Sequence, residues 1–291
     1  MATLKQFLKT PKMVSRRLLS SVPIRRFDRR SDAGRNTRGG GDLALGYMKT
    51  TIDSLLDMPG LTQRMIDSEL HVRPDPALRV YFNWAIPAFL WQAILQSRPL
   101  QTLVSDCLGP RVRLDDLYVK TVMDGMASGS EGWHDDNVGY RLKVFMVFDT
   151  EGQPSGTVVI PGARPKLYNV RVVDEVSRFL FTKRTDDREG ATRIAYQRGD
   201  CLVFDTNLPH RGDYSSGEGV RFCVIAEFID RDKANAIVGR TPCGPGQGRR
   251  QIPIPPLAGI SVPTHPLLDP KLLHQDGPGW RYGYGPGRSD G

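Results

Sequence analysis

The sequence predicts a mainly β fold with flanking helices, and three observations carry that prediction. Short apolar stretches of strand character recur through residues 111–230 with Gly-rich turns between them, the pattern of a sandwich or barrel. The preceding stretch, 46–108, spaces its apolar residues at helical intervals instead. A composition of 39% hydrophobic and 25% charged residues over 291 positions supplies a sizeable core, enough for one large domain or two small ones.

Charge is concentrated at one end. Eleven of the forty Lys and Arg fall in the first 40 residues, against two of the thirty-two acids, Asp28 and Asp32. The remainder holds twenty-nine bases and thirty acids, so the net charge of +8 does not describe a basic body, and no nucleic-acid partner is expected. Residues 1–45 read as a flexible basic arm without the apolar run of a secretory signal. A mitochondrial transit peptide and a plain basic tail both fit it. Cys107, Cys201, Cys223 and Cys243 form no CxxC pair and match no zinc module, so reduced thiols in an intracellular, cytoplasmic setting are the expectation, with mitochondria kept open by the arm.

Taken in order, Leu61, Met65, Ile66 and Glu69 or Leu70 mark a first helical face. Val80 to Leu95 is apolar and aromatic, but it is short for a membrane span and contains Asn83, Pro87 and Gln92, so a buried helix is expected. A short helix over Leu100 to Leu108 is stopped by Gly109-Pro110. Strands follow at Leu117–Met123, Tyr140–Phe148, Thr157–Ile160, Arg193–Tyr196, Asp200–Asp205 and Gly219–Phe228, with a helix expected over Val173–Thr182. In the second strand Arg141 and Lys143 lie on the face opposite Leu142, Val144 and Met146. From 239 onward ten prolines and many glycines indicate an extended tail, either wrapping the barrel or loose, with Trp280, Tyr282 and Tyr284 more than a linker needs.

The chemistry is carried by three residues. His134 and Asp136 are two apart and share one side of a strand, while Asp135 faces away. His210 follows an apolar strand 76 residues after His134. Two imidazoles and one carboxylate form the facial set of non-haem Fe(II) sites, with three coordination positions left open. Trp133, Asn137 and Tyr140 flank the pair and suit either a substrate wall or core packing; Arg211 and Asp213 suit the mouth or the surface. Arg221 comes eleven residues after His210, beyond a Gly-rich hairpin that is expected to return it beside the His210 strand and deep in the barrel. An inward Arg calls for an anion. A dicarboxylic cosubstrate fits its fork, and so does a buried bridge to Asp200, Asp205 or Glu227.

Trp133–Asp136, Leu142–Phe145, Pro161-Gly162, Gly199-Asp200, Phe204–Asn207, His210–Gly212 and Arg221, in this order, resemble the phytanoyl-CoA dioxygenase-like family of Fe(II)/2-oxoglutarate-dependent oxygenases over roughly 100–230. The resemblance implies a double-stranded β-helix (jelly-roll) core, His134, Asp136 and His210 as catalytic iron ligands, and Arg221 as anchor for the distal carboxylate of 2-oxoglutarate. It also implies use of O2, formation of succinate and CO2, and hydroxylation of an unactivated C–H of a small molecule. Two positions depart from relatives, Cys223 and Gly212, where a hydroxyl residue is usual. The second hydrogen bond to the cosubstrate is therefore expected from Tyr118, Lys120, Lys143 or Thr157. Asp136 argues against a halogenase, in which a small residue replaces the acid. The same iron site also serves desaturation, epoxidation or cyclisation, and a jelly-roll binding module with a basic arm is the alternative from another class. A cupin is disfavoured because His71, His265 and His274 are not placed as extra ligands. The expected organisation is an arm (1–45), one oxygenase domain (46–238, helical to 110 and jelly-roll from 111) and a tail (239–291), with oligomeric state left open.

Overall fold

The computed structural model describes residues 43–71, 80–123, 133, 141–152, 156–162, 190–206, 208–213, 219–230 and 251–283. Residues 1–42 of the N-terminal arm, His134, Asp136 and the expected helix over 173–182 lie outside the described residues.

Three long strands form the centre: β3 (Val112–Met123), β4 (Arg141–Gly152) and β9 (Gly219–Asp230). They belong to a six-stranded antiparallel sheet in the order β1-β7-β4-β9-β3-β2, with β1 (Tyr47–Thr51) and β2 (Val80–Asn83) at its edges and β7 (Asp200–Asp205) inside. A three-stranded sheet has the order β6-β5-β8, from β6 (Thr192–Ile194), β5 (Gly156–Val159) and β8 (His210–Asp213). From β4 through β9 the chain passes back and forth between the two sheets, with β5 and β6 as a neighbouring pair in the smaller one, and the fold is mainly β with a jelly-roll core.

The alternation along β9 explains why its sequence is nearly all buried. Phe222, Val224, Ala226 and Phe228 face one large apolar cluster, while Cys223 and Ile225 face a second cluster with Val147, Val159, Tyr196, Leu202, Phe204 and Leu208. The first cluster is the layer beneath the helices. The second is the chamber between the two sheets.

Helices α1 (Ile52–Leu56), α2 (Leu61–Ile66), α3 (Ala88–Gln96) and α4 (Arg98–Leu108) cover the outer face of the larger sheet. In α4 the buried residues Leu100, Val104 and Leu108 recur every four positions and form its inward stripe. Ser97 caps it, accepting from Leu100 N–H at 3.1 Å and donating to the Leu55 carbonyl at 2.6 Å. The structure interrupts the expected helical region with two strands. Val80-Tyr81-Phe82-Asn83 pairs antiparallel with Val119–Val122, so the residues expected in a single helix over 80–95 divide at Pro87, which precedes α3. Three bulky β-formers in a row favour the pleat, and Pro87 cannot donate into a continuing helix. Residues 47–51 likewise pair with β7.

Residues 251–283 form a third sheet, β10-β12-β11, from β10 (Gln251–Ile254), β11 (Leu273–Asp276) and β12 (Gly279–Gly283). Ile252, Ile254, Leu267, Leu268 and Tyr282 join the helix-side core, and the Trp91 indole donates to the Pro253 carbonyl at 3.1 Å. This part of the Pro/Gly-rich stretch is folded onto the body. Among the described residues no helix is long and apolar enough to cross a membrane.

Candidate functional site

The chamber face of the larger sheet follows from strand register. Lys143 lies opposite Glu227 and Phe145 opposite Ile225 across β4 and β9; Asp116, Tyr118 and Lys120 lie opposite Glu227, Ile225 and Cys223 across β3 and β9. Arg221, two before Cys223, belongs to the same face. The smaller sheet supplies the facing wall, with Val159 opposite His210 and Thr157 opposite Gly212.

His210 opens β8 and is 6% exposed. Its Nδ1 lies 2.8 Å from the Leu208 carbonyl oxygen. A carbonyl only accepts, so Nδ1 carries the proton and Nε2 keeps its lone pair, the tautomer suited to metal ligation. The Phe204 ring meets the imidazole edge-on, with centroids 5.0 Å apart, and fixes its plane. The neighbouring Arg211 guanidinium lies 5.6 Å from the Trp133 ring centre, so the residue after His210 touches the residue before His134. His134 and Asp136 themselves lie outside the described residues, and among the described residues no three His, Cys, Asp or Glu side chains meet as a metal site.

Arg221 is buried, with its guanidinium 4.8 Å from the centre of the Tyr196 ring. The Tyr196 hydroxyl and Thr157 Oγ1 are 2.6 Å apart. This chain of contacts joins β9 in one sheet to β5 in the other. It corrects the expected hairpin: β9 pairs with β3 and β4 while β8 pairs with β5, so the Arg221 and His210 strands belong to different sheets. The successive strands β8 and β9 thus lie in opposite sheets, as in a jelly roll. Burial pushes the Tyr196 hydroxyl up to about 12 despite Arg221 and Thr157, which keeps it a neutral hydrogen-bonding group. Burial also raises the Cys223 thiol, so no thiolate competes for Arg221.

Lys143 and Tyr118 serve a different part of the chamber. Glu227 accepts from Arg141 at 3.1 Å, Lys143 at 3.3 Å and the Tyr118 hydroxyl at 3.5 Å, and Arg141 also binds Asp115. Glu227 is six residues along β9 from Arg221, about 20 Å at strand rise. The structure therefore separates Lys143 and Tyr118 from Arg221; Thr157 is joined to it through Tyr196, and Lys120 lies opposite Cys223, two residues from it on β9. Of the rival bridges considered for Arg221, Glu227 is engaged by Arg141 and Lys143, and Asp200 by Lys49 at 2.7 Å.

A β-bulge between Leu114 and Asp116 produces the carboxylate pair. Asp116 is pushed up to about 7, first by burial and then by Glu227 and Asp115; the Leu117 N–H and Arg141 oppose the shift. Sequence reasoning missed Tyr196, Asp115, Asp116 and the Arg141–Glu227 pair. A tyrosine ending a short strand was the available signal for the first, because a buried hydroxyl needs a partner. The other histidines are engaged elsewhere: His71 with Asp149 at 3.0 Å, His265 with the Leu95 carbonyl at 2.9 Å, and His274 with the Gly283 carbonyl at 3.1 Å.

No protein-family profile and no curated protein matches the chain. Solved structures resemble its fold. HygX from Streptomyces hygroscopicus with iron bound is 13% identical, with a TM-score of 0.46 over 64% of this chain and 83% of that one. The non-haem α-ketoglutarate-dependent epimerase SnoN from nogalamycin biosynthesis is 15% identical, with a TM-score of 0.46 over 65% and 80%. EctD from S. alaskensis with bound Fe is 15% identical, with a TM-score of 0.42 over 68% and 81%.

Proposed function

We propose that this protein is an Fe(II)/2-oxoglutarate-dependent dioxygenase of the phytanoyl-CoA dioxygenase-like kind. Its reaction is hydroxylation of an unactivated C–H of a small molecule, with 2-oxoglutarate converted to succinate and CO2. The observation that carries the reading is the Arg211–Trp133 contact. It supports bringing His134, which directly follows Trp133, and Asp136, two residues further on, to the end of β8 that bears His210.

The donor set fits the metal. Two imidazoles and one carboxylate suit Fe(II) and leave three positions open, and the Nδ1–H of His210 directs its Nε2 lone pair to a ligand. His134, Asp136 and His210 would hold the iron, which with O2 and the cosubstrate supplies the oxidising power for the C–H bond. The chain supplies the rest. Arg221 offers a carboxylate a two-pronged fork in a buried chamber. Tyr196 supports the guanidinium from the ring side, and its hydroxyl with Thr157 supplies neutral hydrogen bonding nearby. Phe145, Phe204 and Ile225 keep water from the chamber wall. In this reading residues 46–238 carry the chemistry, with 1–45 as an arm.

Anaerobic titration with Fe(II) and then 2-oxoglutarate tests the reading through the weak visible band of the chelate. The band is expected in the wild type and absent in Asp136→Ala. Metal binding without the band would make this a centre of another class.

A further inference from the structure

The inner face of the larger sheet continues past the Glu227 network to the β2 edge. Phe82 lies opposite Lys120, and Trp84, two residues on, extends that face beside Tyr118. The Trp84 and Tyr118 ring centres are 6.1 Å apart, and Phe82 stacks on Trp84 at 5.8 Å. Asp116, Tyr118 and Trp84 are each partly exposed, whereas Leu117 and Val119 on the opposite face of β3 are fully buried. These three residues thus keep part of their surface exposed, while Tyr118 also packs against the chamber cluster and Trp84 against the helix-side cluster.

Asp116 differs from its neighbours. Asp115 is bound by Arg141, and Glu227 by Arg141 and Lys143. Asp116 takes one hydrogen bond, 2.8 Å from the Leu117 N–H, and has no ion pair among the described residues. We propose that the corner formed by Asp116, Tyr118 and Trp84 binds an organic ammonium group, which makes the substrate of the oxygenase an amine-bearing small molecule. The word substrate rests on the function proposed above; the binding site itself does not.

The chemistry selects the cation. A carboxylate supplies the opposing charge, and adjacent ring faces supply a negative quadrupole and apolar contact for the attached carbons. An anion in this corner would face Asp116, Asp115 and Glu227. A neutral group would leave Asp116 in poor solvent without a counter-charge. The Lys120 ammonium, 5.7 Å from the Phe82 ring centre, already provides a cation at the other end of the aromatic wall.

The test is calorimetric titration of the full chain at pH 8, without added metal or 2-oxoglutarate, using benzylammonium and its neutral counterpart benzyl alcohol. Benzylammonium is expected to bind about tenfold more tightly. Asp116→Asn, which keeps an acceptor for the Leu117 N–H, is expected to erase that preference, and Trp84→Leu to weaken both probes. Equal affinities in the wild type, a preference that survives Asp116→Asn, an unchanged benzylammonium affinity in Trp84→Leu, or no saturable binding of either probe would each overturn the proposal. Because iron and cosubstrate are absent, such a failure leaves the oxygenase reading standing. Loss of the iron chelate band would likewise leave this site standing.

Discussion

Arg221 and Tyr196 meet across the chamber, with the guanidinium carbon 4.8 Å from the ring centre, although Arg221 belongs to the larger sheet and Tyr196 follows β6, an edge strand of the smaller one. The contact separates two roles of one tyrosine. Its ring supports the cation; its hydroxyl bonds Thr157. Tyr196→Phe keeps the first and removes the second. The apparent KM for 2-oxoglutarate should rise roughly three- to tenfold, the worth of one hydrogen bond, with kcat little changed. Arg221→Leu should raise it further. Succinate formation against 2-oxoglutarate concentration measures both, and an unchanged KM in Arg221→Leu would remove the anchor role.

His210→Ala should abolish turnover while the protein stays folded. The imidazole is buried, so a cavity cost of about 1–3 kcal/mol is expected from truncation, too little to unfold a domain of this size. Thermal melts and product assays on the same sample separate the two effects. Retained turnover would withdraw His210 from the metal set.

Arg141 joins Asp115 to Glu227 inside the chamber wall. Arg141→Met removes the shared cation and leaves two acids facing each other, with Lys143 as the remaining partner of Glu227. A loss on the order of 3–5 kcal/mol is expected. Urea unfolding measures it, and a loss under about 1 kcal/mol would mean that the network is open to solvent.

Asp116 gives stability a pH dependence of definite sign. Its carboxyl is raised from 3.8 to about 7 in the folded chain, mainly by burial. Below both values the acid is neutral in the folded and unfolded states and contributes nothing. Between them the unfolded chain ionises while the folded chain keeps its proton, so this group lowers stability as pH rises, with its full cost present above 7. The stabilisation gained by Asp116→Asn should therefore grow between pH 4 and 7. Melting temperatures at pH 4.5 and 8 check this; equal shifts at the two values would contradict it. The Glu227 and Asp115 carboxylates, Arg141 and the Leu117 N–H face this group and set the size of the effect.

The β region was legible because its strands announce themselves by apolar residues between turn formers. Expected strands at 157–160 and 200–205 match β5 and β7 closely, and that at 117–123 covers the second half of β3, which begins at Val112. The burial of two polar positions was legible for another reason: His210 and Arg221 were expected inside the barrel from their place beside apolar strands, and both are buried there. What stayed hidden was pairing. No local signal distinguishes β8 turning back onto β9 from β8 crossing to the opposite sheet, since both need the same Gly-rich turn. Val80–Asn83 failed similarly, because a short apolar run suits strand and helix alike until a partner strand decides. The sheet at 251–283 was obscured by its prolines, which sit at edges and turns and break the period by which strands are read.

The Tyr282 hydroxyl donates to the carbonyl of Leu114, and the Leu114 N–H donates to the carbonyl of Leu267, just before the bulge that carries Asp115 and Asp116. Those two ties span 168 and 153 positions of chain. During synthesis β3 emerges long before the segment that clasps it, and contacts this distant close slowly. A nascent chain released before residue 283 would possess β3 through β9 but lack its clasp. The acidic corner of the chamber thus leans on residues that are made only after β3 through β9.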